Sequence, residues 1–405
     1  MNVVMLSPGY PAEMAFFARG LAAAGATVIG VGDQPVHAVP DTARAALAHY
    51  VQVGSLADGD EVTAAVRDVA RQVSLDRVEC LWEPYMMLAA RLREELGLPG
   101  LTMRQTLPFR DKQLMKEVLD EAGLRTPGHL STSTVAGVWA AAERLGYPLI
   151  VKPIAGAGSA DTYRADSPAD LDAILPMVRH VPQVMAEEFI DGEEFTYDTI
   201  CAGGQVLFEN ICWYRPRPLL TKLHEWISPV IVALRDLHAP DLQAGRALGA
   251  AAVKALGFRD GFTHMEWYRK ADGEAVFGEI GARPPGGRMV DAMNYATDAD
   301  LFFGWAEAVT HGRISQPVER RYNAGIVFKR AEGAGRITGY TGLDHLMAEF
   351  GEHVAAIDLL PVGTPRRDWR AVTISDGMVV VRHPDLAKTV EMTERFAAEL
   401  HIYAG

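Results

Sequence analysis

The chain has 405 residues, enough for two or three domains that each bury a core. Its composition, 49% hydrophobic and 22% charged with no biased tract, excludes a disordered or fibrous protein. A formal charge of −13 argues against nucleic acid or an anionic membrane as the main partner, because either favours a basic surface.

Three cysteines, Cys80, Cys201 and Cys212, cannot all pair within one chain and lack metal-type spacing, so a reducing cytoplasm is expected. The opening MNVVMLSPGYPAEM contains no charged n-region and no long apolar run, so no secretory leader is expected. No stretch approaches the ~20 apolar residues of a membrane span. Internal repeats of 20–50 residues and low-complexity linkers are not found.

In chain order, VVML (3–6) reads as a strand, Ala12 to Ala24 as a helix and TVIGVG as a second strand. RVECLW (77–82) is a further strand, followed by a helix ending at Gly97. This alternation predicts a doubly wound parallel α/β domain over 1–106, with ligands expected beyond the carboxyl ends of its strands. Ser7-Pro8-Gly9 and Glu83 stand at two such ends, and the absence of GxGxxG argues against a dinucleotide.

The texture changes near residue 108. DKQLMKEVLDEAG reads as a helix closing at Gly123 and STSTVAGVWAAAERLG as a helix with Ser/Thr caps. Strand PLIVK, glycine loop PIAGAGSAD and strand TYRA follow. Ser167 to Asp170 then form a helix start, and QVMAEEFI is the next strand. Residues 194–213 read as a hairpin turning at Ala202-Gly203-Gly204, and RPRPLLTKLHEWISP (215–229) as irregular. A helix over 241–256 and a second hairpin come next, then several strands and a final helix beginning near Pro384.

The second hairpin, residues 263–283, carries the chemistry. Asp272-Gly273 is a strong signal for a two-residue type I′ turn. Such a loop places Glu266 opposite Glu279 and His264 opposite Gly281, with Met265, Trp267, Val276 and Ile280 on the other, apolar face. A four-residue loop keeps that register and a three-residue loop breaks it. Two carboxylates paired across strands lie about 5 Å apart and repel. In a partly buried site that amounts to roughly 3 kcal/mol at an effective dielectric of about 20. On spacing alone the pair is either two solvated acids or an all-oxygen site for Mg²⁺ completed by phosphate. Arg283 shares their parity and would face an anion beside them.

Lys152 ends an apolar strand, where a lysine is costly unless it meets negative charge. Gly156, Gly158 and Ser159 lie in a loop that is either a plain surface turn or a backbone cradle for phosphate oxygens, although it is no P-loop. Lys112 opens the helix after FRD. Two lysines, a glycine loop, two acids and an arginine together describe a site for Mg–triphosphate.

These residues resemble the ATP-grasp ligases over nearly the whole chain. The resemblance rests on RDK before a helix, PLIVKP with its glycine loop, EEFIDGEEFTYD, HMEW and GEIGARPPGG, in that order. It implies that the 1–106 domain is followed by an α+β ATP-grasp fold whose two subdomains clamp ATP. The boundaries expected are 107–190 for the lid subdomain, 191–315 for the large subdomain with the metal site, and 316–405 for its C-terminal part. By this likeness Lys112 and Lys152 contact phosphates, and Glu187 and Ile190, with Glu188 between them, meet adenine. Glu194 binds ribose, and Glu266 and Glu279 hold one or two Mg²⁺, with Mn²⁺ able to substitute. Arg283 grips the carboxylate that becomes an acyl phosphate, and Lys152, Gly286, Gly287 and Arg288 count with it as catalytic. Many relatives carry Asn two residues after the second metal acid, where this chain has Gly281.

The E-I-G-A-R-P-x-G-G form is similar to the L-amino acid ligase branch, which implies amide formation between a small-molecule carboxylate and an amine. The glycine loop would be the lid that keeps water from the acyl phosphate. Glu83 reads either as a ligand for a substrate amino group or as a helix-capping acid. Arg215 and Arg217, with Lys222 and His224, either shape the second-substrate pocket or form a solvated face. His264 is either a polar partner of the metal acids, at the edge of the substrate site, or a satisfied core histidine. The apolar edge of the N-terminal sheet is consistent with a homodimer. A bicarbonate-using ATP-grasp carboxylase and a non-catalytic nucleotide-binding homologue are the alternatives.

Overall fold

A computed structural model describes residues 1–154, 161–370, 372 and 375–405. The first 106 residues hold a parallel sheet ordered Leu47–Gln52, Thr27–Gly32, Asn2–Leu6 and Arg77–Glu79. Val3, Met5 and Val28 face a core shared with helix Met14–Ala23, while Val4, Leu6 and Val31 face helices Gly59–Gln72 and Met86–Leu96. Helices on both faces make the sheet doubly wound, as the strand–helix alternation predicts. Strand Leu47–Gln52 and helix Gly59–Gln72 escape the sequence reading. The strand lies at the sheet edge with a largely wet face and shows no apolar run.

The middle of the chain forms a small antiparallel sheet ordered His129–Thr132, Val184–Glu188, Leu149–Pro153 and Tyr163–Ala165. Helices Val135–Leu145 and Pro168–Val178 cover it and give it a core of its own. The helix expected across STSTVAGVWAAAERLG starts only at Val135, because Ser131 and Thr132 pair with Met185 and Val184 as strand. Thr134, the last residue of the STST run, caps the helix through the Gly137 amide.

A nine-stranded antiparallel sheet dominates the rest, with a three-stranded sheet ordered Glu332–Gly333, His401–Ala404 and Ile337–Thr341 beside it in the sequence's last quarter. The order of the nine-stranded sheet is Ala275–Gly281, Gly261–Arg269, Glu193–Ala202, Cys212–Arg215, Val230–Ala233, Asn323–Lys329, Gly377–His383 and Val354–Leu359, with Gln205–Asn210 beside Glu193–Ala202. One face packs on helices Gln243–Ala255 and Leu386–Glu399. The other face shares its core with the N-terminal domain, where Phe17 meets Phe262, Phe302 and Trp305 edge-on. This continuous core fixes the N-terminal strand ends relative to the large sheet, whereas the small sheet packs as a separate lobe. No helix among the described residues is long and apolar enough to cross a membrane.

The hairpin at Asp272-Gly273 corrects one expectation. Lys270 pairs with Glu274, so the loop is the three residues Ala271, Asp272 and Gly273, with only Gly273 at positive φ (87°). Trp267 therefore pairs with Phe277, and Val276 pairs with Tyr268 instead of joining the apolar face. A β-bulge at Gly278 then restores Glu266 opposite Glu279 and His264 opposite Gly281. A Cβ at Gly278 would lie 2.8 Å from the Glu266 carbonyl oxygen, so only glycine fits the bulge. Gly278→Ala should cost about 1–3 kcal/mol in denaturant unfolding and lower ligation, because relief of the clash moves Glu279 off its partner.

Candidate active site

The cleft between the small sheet and the large one gathers most of the nucleotide residues read from the sequence. Lys112, Lys152, Glu187, Glu188, Ile190 and Glu194 line it together with Glu266 and Glu279. Gly156, Gly158 and Ser159 lie outside the described residues.

The two acids face each other on neighbouring strands, but their neighbours differ. The Tyr214 hydroxyl donates to Glu266 over 3.2 Å, and His264 Nε2 stands 3.7 Å away. Burial alone would raise the Glu279 carboxyl, yet Lys112, Lys152, Lys116 and Arg283 hold it well below the usual carboxylate range. Lys112 Nζ is 3.3 Å from Glu279. Among the described residues no group of three His, Cys, Asp or Glu side chains could hold a metal alone. Two opposed carboxylates nevertheless suit Mg²⁺, which commonly takes one or two protein carboxylates and completes its shell with phosphate oxygens and water.

His264 turns its Nδ1 to Asp198 Oδ1 at 2.6 Å. Burial opposes its charge, but the Asp198 and Glu266 carboxylates raise it to about 9. Both ring nitrogens thus face carboxylates, and the ring backs the acid pair.

Arg283 leaves the end of strand Ala275–Gly281. Its Nε donates to Glu83 Oε2 at 2.6 Å and its Nη1 to the Pro284 carbonyl at 3.0 Å. Arg110 takes the other oxygen of Glu83. Both Glu83 oxygens are thus committed to arginines here, so the carboxylate holds Arg283 in place instead of facing an open amine pocket. Gly281 makes room for this, because a Cβ there would meet Arg283 Cγ at 3.3 Å. An Asn at that position, as in many relatives, would crowd the stem of this arginine.

Three further expectations are corrected. Arg215 binds Glu394 and stacks over Trp213, outside the nucleotide cleft, because its strand pairing turns it to the helix Leu386–Glu399. Arg288 faces Asp291 at 3.2 Å and lies over Phe16, away from the partners of Arg283, because its backbone (φ 60°) turns sharply into helix Met289–Thr297. Gly286 and Gly287 lead into that turn, Gly287 at φ 61°, and the Gly286 carbonyl accepts from Met289. Arg217 sits in the nucleotide cleft and not in a separate pocket. It donates to the Ile190 carbonyl (2.8 Å) and Glu194 (3.3 Å) and lies over Phe189 and Tyr268.

Burial, followed by the Glu266 charge, pushes the Glu194 carboxyl well above its ordinary range, with Arg217 opposing both. Arg217→Ala should therefore raise the KM for ATP about tenfold and leave the KM of the other substrates unchanged. Equal changes in all KM values would return Arg217 to a general structural role.

Several site residues have little signal in the sequence. Asp198 reaches His264, and Tyr214 reaches Glu266, only because three strands pair in this order. Lys116 and Arg110 were also missed, although a signal exists: one lies a helical turn beyond Lys112, and the other precedes it in the RDK run.

Residues 21–100 match the model of the ATP-grasp N-terminal domain, and residues 109–213 match the ATP-grasp domain. The chain thus carries an ATP-grasp N-terminal domain and an ATP-grasp domain. Among named relatives, the L-arginine-specific L-amino acid ligase of Bacillus subtilis is 29% identical over 254 residues, 60% of each chain. The match thus spans 60% of that relative's length, short of two thirds. The crystal structure of L-amino acid ligase from Bacillus licheniformis superposes with a TM-score of 0.80 at 22% identity, covering 100% of this chain and 99% of that one. N5-carboxyaminoimidazole synthetase from Staphylococcus aureus, complexed with ADP, gives 0.70 at 16% identity over 98% and 96% of the chains. Both superpositions establish the fold.

Proposed function

We propose that this protein is an ATP-dependent ligase that activates a carboxylate as an acyl phosphate and joins it to an amine, both substrates being amino acids or close analogues. The observation that carries this reading is one cleft holding the opposed pair Glu266 and Glu279, the cations Lys112 and Lys152, and the Glu187 to Glu194 edge. Arg283, set by Glu83 at its rim, supports a carboxylate site. The L-amino acid ligase relative supports amino-acid substrates over bicarbonate.

In this reading Ile190 and its neighbours meet the adenine through their backbones, and Glu194 takes the ribose hydroxyls. Lys112 and Lys152 hold the phosphate oxygens. When bound between Glu266 and Glu279, Mg²⁺ supplies charge neutralisation for phosphoryl transfer. Arg283 orients the substrate carboxylate, and its guanidinium pairs with that group before and after activation. A carboxylate oxygen takes the γ-phosphoryl group and ADP leaves. The amine nitrogen then attacks the carbonyl carbon, the C–N bond forms, the C–O bond to phosphate breaks, and the amine proton passes to solvent. Backbone N–H groups near Gly286 and Gly287 stand ready for the other end of the substrate. We place this reaction in the cytoplasm, a reading supported by the three free cysteines.

The test is phosphate release from ATP and Mg²⁺ across a matrix of amino-acid pairs, followed by product mass. A product equal to the two substrates less one water, stopped by chelation, is expected. Turnover that requires bicarbonate and ignores the second amino acid would replace this reading with a carboxylase, and no turnover with any pair would remove the enzyme.

A further inference from the structure

Lys116 is fully buried, yet it carries an ammonium group. It sits on the helix Lys112–Glu121 one turn after Lys112, so both lysines leave the same face. Lys112 reaches the cleft, whereas Lys116 lies behind it. Its Nζ donates to Glu187 Oε1 at 2.6 Å, and its other polar neighbour is the Met185 sulfur at 3.8 Å. Lys152 Nζ reaches the second oxygen, Glu187 Oε2, at 2.8 Å from the cleft side.

One carboxylate is therefore shared by two ammonium groups. A buried lysine is costly unless paired, and a leucine or methionine would fill this space without that cost. Burial pushes Lys116 down to about 8, with Glu187 opposing, so it remains mostly charged at neutral pH. Glu187 is held well below the ordinary range, burial being outweighed by the two lysines.

The consequence concerns Lys152. If Glu187 had Lys152 as its sole counter-ion, moving that lysine onto a phosphate would strand a buried carboxylate. With Lys116 permanently bonded on the far side, Glu187 stays neutralised when Lys152 leaves.

We propose that Lys116 is a positioning residue for nucleotide binding: it holds Glu187 from behind and thereby releases Lys152 to the phosphates. The proposal rests on the nucleotide reading of the cleft and adds a role for a group outside it.

The experiment is calorimetric titration with ADP and with adenosine. It uses the full-length protein, Lys116→Met, Lys116→Arg, Glu187→Gln and the double variant, each first checked by thermal unfolding. Lys116→Met should weaken ADP about tenfold or more and leave adenosine within about twofold, because adenosine brings no phosphate for Lys152. Lys116→Arg should keep near-normal ADP affinity. Adding Glu187→Gln to Lys116→Met should restore ADP binding to within about threefold of the unsubstituted protein, since a neutral amide retains Lys152 weakly.

A double variant as weak as Lys116→Met, or adenosine falling in step with ADP, would overturn the proposal by making Lys116 a plain prop for the adenine wall. Should Lys116→Met fail to fold, the double variant and Lys116→Arg still decide. Failure of the unsubstituted protein to bind ADP would overturn the nucleotide reading itself, and this proposal with it.

Discussion

Replacing Arg283 with alanine yields a folded protein that binds ATP and forms almost no amide. The expected loss in kcat is about a hundredfold to a thousandfold, the scale seen when one preorganised donor is removed from a developing charge. Folding survives because Glu83 keeps Arg110 as a partner, so the buried carboxylate is not orphaned. ATP affinity survives because the line from Lys152 through Glu187 to Glu194 does not include Arg283. Arg283→Lys should recover little, since an ammonium cannot bridge Glu83 and a carboxylate with the same planar fork. Measured kcat, nucleotide affinity and thermal unfolding check all three statements together. Full activity in Arg283→Ala would transfer the carboxylate site elsewhere.

Substitution of Glu279 by glutamine should act in the opposite sense on nucleotide and metal. With Mg²⁺ present, phosphate release should fall about a thousandfold or more, because one of the two proposed metal donors loses its charge. With chelator present, ADP binds at least as tightly as before. Glu279 is the acid beside Lys112, and its removal leaves that lysine's positive charge less compensated toward a phosphate. Parallel loss of affinity with and without Mg²⁺ would instead give Glu279 a purely structural role.

The fold was legible wherever local pattern and tertiary outcome agree. Alternating strands and helices gave the N-terminal sheet, and the caps at Ser167 and Thr134 marked true helix starts. The cross-strand pairing of Glu266 with Glu279 was predicted from a two-residue loop, yet it arises from a three-residue loop compensated by the bulge at Gly278. Two deviations cancel in the register and leave Val276 on the other face. Period-two counting cannot see a bulge, because the added residue has no side chain to break the pattern.

The site residues divide along the same line. Lys112 opens a helix, and Lys152, Glu194, Glu266 and Glu279 lie on strands, elements whose direction the local sequence sets. Arg215 and Arg217 are two residues apart, so their strand parity agrees, but the chain turns between them at Pro216 and separates their destinations. The clamp on Glu83 joins residues 83, 110 and 283, which no local pattern connects. Contacts formed by three distant segments need the packed core before they exist.

The account turns most directly on where a divalent ion and a nucleotide sit. A crystal grown with ADP and Mn²⁺, recorded at the manganese absorption edge, should show an anomalous peak between the Glu266 and Glu279 carboxylates and in contact with a phosphate oxygen. A nucleotide bound in another cleft, or manganese bound without either of these carboxylates, would contradict it.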